Sequence, residues 1–408
     1  MNNEKCNIAI FGKTGVGKSS LINYLYGSEV AEAGTGKPVT GEGFYEYEIQ
    51  VNKLPCSIID TYGIEAGHEN VKKWENLLSN ELNKRGINKP ISEWFHAIFF
   101  CIQGSGHRVE EFEGKVITQF IKNRYPLVVI ITKSDLMSKD EYNKLEDAIK
   151  MTIEEEVNKS NFSDEYNLNK NELIKLSKTI NIIPICSEGK ILISGQETKS
   201  FGKEKVFTSI IDKFIQSIKL RLPVRCIEVI YQDIDNWAIE TEKKYHSLLD
   251  KKEKSYDELI NELKIDSQNY GEKLTNNRIV DIINEEINKS LSVYKIVGEF
   301  LTANHIKPRT VINNVADYLK MTRKSPEPDD LAGKIFVYGF AGIAITLAIP
   351  FFLLALPALL IWGKTDKENI SKLIEKVREE IKNKVKNQSK SMEEQITEIL
   401  GKILGNNQ

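Results

Sequence analysis

Residues Gly12-Lys13-Thr14-Gly15-Val16-Gly17-Lys18-Ser19 follow the apolar run Asn7-Ile8-Ala9-Ile10-Phe11 and precede Ser20-Leu21-Ile22-Asn23-Tyr24-Leu25. An apolar strand, a glycine-rich turn and a helix in that order leave few folds open. The glycines let successive backbone N–H groups turn inward around an anion, and the helix N-terminus that follows adds its dipole. The candidate phosphate-binding residues are Gly12, Lys13, Thr14, Gly15, Val16, Gly17, Lys18, Ser19 and Ser20. Lys18 would reach the outer phosphates of a nucleotide, and Ser19 would offer its hydroxyl to Mg²⁺. A glycine turn that holds no ligand is the alternative.

A phosphate cradle does not name the base, because adenine and guanine nucleotides share it. Leu127-Val128-Val129-Ile130-Ile131 reads as a buried parallel strand and delivers Thr132-Lys133-Ser134-Asp135 at its C-terminal edge. A carboxylate there can accept from guanine N1–H and the 2-amino group, whereas adenine offers no such paired donors. Thr132, Lys133 and Asp135 are therefore candidate base-binding residues, with the stem of Lys133 along the base plane. A helix cap by Asp135 is the alternative. Between the two motifs, the short strand Cys56-Ser57-Ile58-Ile59 ends in Asp60-Thr61-Tyr62-Gly63. Asp60 would hold Mg²⁺ through water, and the N–H of Gly63 can approach a γ-phosphate because no side chain blocks it.

These runs, GKTGVGKS, GTGKPVT, DTYG and TKSD, resemble the GTPase superfamily of P-loop proteins. The resemblance implies an α/β domain with a mostly parallel central sheet, GTP and GDP as ligands, and Mg²⁺ as cofactor. It also implies a switch threonine on Mg²⁺ and the γ-phosphate. Thr40 is the choice, because it precedes the alternating strand Phe44 to Val51; Thr35 is the alternative. Lys18, Thr40 and Gly63 then form the catalytic set, and Ser19, Thr40 and Asp60 the metal set. A fifth family motif falls at Cys186-Ser187-Glu188, where Ser187 would touch the guanine, although the sequence departs from the common Ser-Ala-Lys form. Ile64 stands where Ras-like members place the glutamine that orients the attacking water. Glu65 and His68 follow in the same switch and read equally as loop residues. The expectation is slow intrinsic hydrolysis, stimulated by self-association or a partner, since positioning and charge neutralisation carry most of phosphoryl transfer.

The next strand, Trp94 to Ile102, and the helix over 109–122 make the chain similar to the Era-like, septin-like and dynamin-like branch. His96 reads as a structural histidine. Arg108 either contacts a neighbouring subunit's nucleotide or pairs with the helix bearing Glu110 and Glu111. Gly189 to Gly202 reads as a polar loop that either contacts a partner or is a surface insertion.

A chain of 408 residues exceeds one compact core and implies two or three domains. Its formal charge of −2 provides no basic field for nucleic acid. Five separated cysteines with no C-x-x-C spacing read as core residues in a reducing compartment, and no signal peptide precedes the first strand. The expected organisation is a GTPase domain over 1–222, closed by a helix from about Lys203 to Leu220. A helical stalk or bundle over 223–330, a hydrophobic segment over 331–365 and an amphipathic C-terminal helix over 366–408 follow.

From Ile335 to Trp362 the chain runs 28 residues without a formal charge, enough for the roughly 20 a bilayer span needs. Pro350 splits it into legs of 15 and 12 residues. Each leg is about 18 to 23 Å long as helix, short of the roughly 30 Å core. One kinked span and a hairpin dipping into one leaflet both fit; balanced flanking lysines favour the hairpin, and a hairpin buried in a helical domain is the alternative. The tail places Ile370, Ile374, Val377, Ile381 and Val385 on one helical face, suited to packing on the helices of 224–323. The reading is a GTP-driven switch, dynamin-like, at the cytoplasmic face of a membrane, with lipid and self-association as partners. A soluble Era-like GTPase acting on a ribosome or another assembly, and a GTPase-controlled defence effector, are the alternatives.

Overall fold

Two runs, Cys6–Gly12 and Leu127–Thr132, are buried at every residue, which only a strand covered on both faces requires. The computed structural model describes residues 5–27, 44–51, 54–61, 63, 68–104, 109–160, 168–189, 191, 195, 197–290 and 365–404. Thr35, Thr40, Ile64, Glu65, Arg108 and the apolar run 335–362 lie outside the described residues.

Six strands form one sheet: β1 (Cys6–Gly12), β2 (Phe44–Val51), β3 (Leu54–Thr61), β4 (Ala97–Gln103), β5 (Leu127–Thr132) and β6 (Asn181–Pro184). Their order is β2-β3-β1-β4-β5-β6. All pairs are parallel except β2 with β3, which is antiparallel at the edge. Exposure of Tyr45, Glu46 and Glu48 explains why β2 alternates where β1 and β5 do not.

Ala9 and Phe11 of β1, with Phe100 and Ile102 of β4, point into one apolar cluster. It is closed by Ile117 and Phe120 of α3 (Glu111–Lys122), Ile149 and Ile153 of α4 (Lys139–Lys159) and Leu173 of α5 (Lys170–Lys178). The Phe11 and Phe120 rings lie 4.8 Å apart. Each such side chain contributes about 1.5–3 kcal/mol by leaving water. The helix starts are set locally: Glu113 accepts the Glu110 N–H at 2.9 Å, Ser138 pairs with Glu141, and Asn169 with Glu172. The α3 helix thus begins at Glu111, two residues later than the apolar pattern suggested, because Glu110 serves its N-terminus.

His96 sits just before β4, fully buried. Its Nδ1 accepts the Asn7 backbone N–H at 2.9 Å, so its Nε2 carries the proton donated to Ile91 O, also at 2.9 Å. The Asn7 side chain donates to Ser92 O and Trp94 O at 2.8 and 2.9 Å, tying β1 to this segment. Burial holds the imidazole pKa down at about 3, although the Ile91 bond opposes it. A structural histidine is what the fold uses here.

Helix α6 runs from Lys203 to Lys251 with Pro223 inside it, where the sequence suggested an end near Leu220. Proline removes one backbone hydrogen bond and crowds the preceding turn. Burial of Leu222, Val224 and Cys226 around it outweighs that loss. The chain divides into two compact units, Met1–Arg221 with Ser290–Asn313 and Leu222–Lys289 with Asn314–Gln408. In the first, the Arg221 guanidinium lies between the Trp94 and Tyr125 rings, 4.4 and 4.2 Å from their centroids, and donates to Arg85 O at 3.0 Å.

In the second unit, the later part of α6 packs with α7 (Tyr256–Lys273) and α8 (Asp366–Leu404) around Ala238, Tyr245, Leu259, Leu263, Ile370 and Ile374. A π-helical turn over Leu274–Arg278 follows α7, and helix continues over 279–290. Arg225 and Glu286 form a buried ion pair at 3.2 Å, and Trp237 stacks on Tyr270 with centroids 4.6 Å apart. Among the described residues no helix is long and apolar enough to cross a membrane.

The depressed His96 pKa sets a pH dependence. Below the ordinary value of 6.5 the unfolded chain takes up a proton that the folded one refuses, so stability falls with pH until about 3. Denaturant unfolding from pH 6.5 down to about pH 5 should lose about 2 kcal/mol through this group. In His96→Gln that slope should flatten whatever happens to absolute stability; an unchanged slope would refute the assignment.

Candidate functional site

Gly12 ends β1 with φ of 144°, and a Cβ there would stand 2.5 Å from the Cys101 carbonyl oxygen of β4. Gly15 and Gly17 hold φ of 79° and 101°, the left-handed region that glycine enters without strain. The turn they make starts α1 (Lys18–Tyr26), which places Ser19 in its first turn.

The Lys18 ammonium is buried and donates to Gly12 O at 3.2 Å and Lys13 O at 3.1 Å. Burial lowers its pKa, and the Asp60 carboxylate opposes the shift. Asp60 arrives on β3 in register with Ile10. Burial raises its carboxyl pKa, with the Lys18 charge and the Ser19 bond pulling the other way. Ser19 Oγ donates to Asp60 Oδ2 at 3.3 Å, while Asp60 Oδ1 is buried with no hydrogen-bond partner among the described residues. Such an orphaned carboxylate oxygen is costly unless something takes it up. Beside a hydroxyl, it suits a hard cation that keeps its waters and takes the rest of its shell from phosphates. Ser19 and Asp60 therefore fit Mg²⁺. Among the described residues no three His, Cys, Asp or Glu side chains gather into another metal site.

Gly63 is buried against this turn: a Cβ on it would lie 2.6 Å from Thr14 Cα and 2.7 Å from Thr14 N. The Thr14 hydroxyl oxygen is itself buried without a partner. Thr61 donates to Ile10 O at 2.7 Å and ties the end of β3 to β1.

The end of β5 reaches the same turn. Thr132 Oγ1 lies 2.5 Å from Val16 O, and Lys133, at φ of 53°, donates to Gly15 O at 3.2 Å and to Gln103 Oε1 at 3.0 Å. Asp135 follows, half-buried, and accepts from Thr198 Oγ1 at 3.1 Å. Ser134 anchors this segment by donating its N–H to Ile185 O at 3.0 Å. Parallel strands bring all these residues to one edge of the sheet, outside their carboxyl ends, where open α/β sheets bind ligands.

A family model described as "50S ribosome-binding GTPase" matches residues 7–133, which contain this phosphate turn, Asp60, Gly63, Thr132 and Lys133. Over residues 7–133 the chain matches the P-loop GTPase superfamily. It is similar to Cell division control protein 10 of Saccharomyces cerevisiae, 29% identical over 47% of this chain and 66% of that protein. It is also similar to the tRNA modification GTPase MnmE of Prochlorococcus marinus, 32% identical over 36% of this chain and 30% of that one. The chain thus spans less than two thirds of the curated relatives it matches. Among solved structures, Toc33 from Arabidopsis thaliana aligns with a TM-score of 0.38 and 18% identity, over 52% of this chain and 85% of Toc33.

Gly12 to Ser19, Asp60, Gly63, Thr132, Lys133 and Asp135 lie together along one sheet edge. Thr40 lies outside the described residues, so the switch threonine has no described position. Lys13 contributes its carbonyl to Lys18, while its ammonium pairs with Glu110 at 2.5 Å. Ser20 follows Ser19 in α1, and Ser187 lies in the turn after β6. Sequence reasoning missed Thr61, Gln103 and Thr198. Each acts through a hydrogen bond to a residue far away in the chain, and nothing in their local pattern announces that.

The raised Asp60 pKa yields a second prediction. Mg²⁺ requires the ionised carboxylate, so protons compete with the metal, and a raised pKa makes that competition begin at higher pH than for an ordinary carboxylate of 3.8. The Mg²⁺-dependent tightening of GDP binding, titrated at falling pH, should fade early in the wild type. Asp60→Asn should show no such tightening at any pH; retention of it would exclude Asp60 from the metal site.

Proposed function

We propose that this chain is a GTP-binding, GTP-hydrolysing switch. The carrying observation is the buried Lys18 ammonium facing the turn of Gly12 to Ser19, with the orphaned Asp60 oxygen beside it and the Asp135 carboxylate on the same edge. Guanine has paired donors for Asp135, and Ser187 stays the candidate for the guanine oxygen.

The residues divide the work. Backbone N–H groups of the phosphate turn and the dipole of α1 hold the β- and γ-phosphates, and Lys18 neutralises charge as it develops between them. Ser19, Asp60 and the switch threonine, Thr40, hold Mg²⁺, which when bound supplies further charge neutralisation across the phosphates. Gly63 brings a backbone N–H toward the γ-phosphate without a side chain in the way. Ile64 orients no water, so turnover by an isolated subunit is slow.

Downstream, the proposed role is dynamin-like. The apolar run 335–362 contacts lipid at the cytoplasmic face of a membrane, and self-association accelerates hydrolysis. A second reading has its own support: the family model matching residues 7–133 is described by ribosome binding. That favours a soluble Era-like GTPase acting on a ribosome or another assembly.

Phosphate release from GTP measured against protein concentration, with and without vesicles, separates these. The switch reading expects turnover per molecule to rise with concentration and vesicles to raise it further. Lys18→Ala should abolish nucleotide binding, and Asp135→Asn should move preference from guanine toward xanthine nucleotides. If ATP competes as well as GTP, guanine recognition is refuted. If deleting 331–365 leaves vesicle flotation intact, or flotation never occurs, the membrane role is refuted.

A further inference from the structure

The stretch after β6 folds back on itself. Cys186 and Phe201 exchange backbone bonds of 3.2 and 3.0 Å, and Ile191 bridges Glu197, both antiparallel. The return arm is held close: a Cβ on Gly202, whose φ is 95°, would lie 2.8 Å from Pro184 O, and one on Gly189 would lie 3.2 Å from the Thr198 carbonyl carbon. Thr198 is therefore fixed between two points of backbone pairing. Its hydroxyl donates to Asp135 Oδ2 at 3.1 Å, across 63 positions of sequence.

We propose that Thr198 is a positioning residue for base recognition, holding the Asp135 carboxylate in the orientation that reads guanine. The inference rests on the guanine-nucleotide reading above. Each carboxylate oxygen carries two acceptor sites, so Oδ2 can take the Thr198 hydroxyl and still accept from a base, while Oδ1 stays free of that bond. The hydroxyl removes the rotational freedom of a half-exposed side chain. The neighbours agree: the Ser134 N–H bond to Ile185 O fixes the backbone beside Asp135 from the same β6 turn. A carboxylate set in advance loses less freedom when the base arrives.

The test compares GDP with ADP, since adenine does not use Asp135. Both are measured as competitors of a fluorescent GDP analogue on the full chain carrying Thr198→Val, Thr198→Ser or Asp135→Ala. Thr198→Val should weaken GDP about tenfold and leave ADP unchanged, and Thr198→Ser should restore GDP to within about twofold. Equal losses for GDP and ADP would mean a merely structural loop, and no loss would mean no role; either overturns the assignment of Thr198. If the wild type does not prefer GDP, or Asp135→Ala keeps the preference, the guanine reading itself fails and takes this inference with it.

Discussion

A buried ammonium is the constraint on which the nucleotide unit depends. Among the described residues, Lys18 has left water after β1 and recovers two backbone carbonyls and the field of Asp60. A cation so placed is expensive unless an anion completes its surroundings. The sheet order follows from the same demand, because β3 must lie beside β1 to bring Asp60 opposite Ile10, and β4 must lie on the other side to bring Cys101 under Gly12. Asp60 is in the mirror condition, an acid whose pKa burial raises and whose second oxygen has no partner among the described residues. Two groups that are each poorly satisfied alone make a site that a phosphate and a cation satisfy together.

Much of this was legible in the sequence, for physical reasons that differ by element. Strands β1, β4 and β5 could be read because burial on both faces demands unbroken apolar runs, and the turn at Gly12 because only glycine enters its conformation. Asp60 and Asp135 stood out because one lies near the end of β3 and the other just past β5. The course of α6 could not: Pro223 is a strong stop signal locally, and only the burial of Leu222, Val224 and Cys226 overrides it. Nor could Thr198, since a hydroxyl that acts across a returning arm leaves no periodic mark. The polar, glycine-bounded stretch, read as a loop that contacts a partner or is a surface insertion, is pinned by the Cys186–Phe201 pairing, which its composition does not announce.

The two halves of the proposed site, phosphate and base, meet at one strand end. The end of β5 sends Thr132 to Val16 O, Lys133 to Gly15 O and Asp135 to the Thr198 hydroxyl within four consecutive residues. Gln103 at the end of β4 and Thr198 from the returning arm brace this segment from either side. Because Lys133 adopts a left-handed backbone to do so, the segment has little freedom to relax after a substitution. Residues linked this tightly contribute non-additively. On the proposed function, the phosphate turn leans on Thr132 and Lys133 while the Asp135 carboxylate is set by Thr198 from the returning arm, so base preference can change without loss of phosphate affinity.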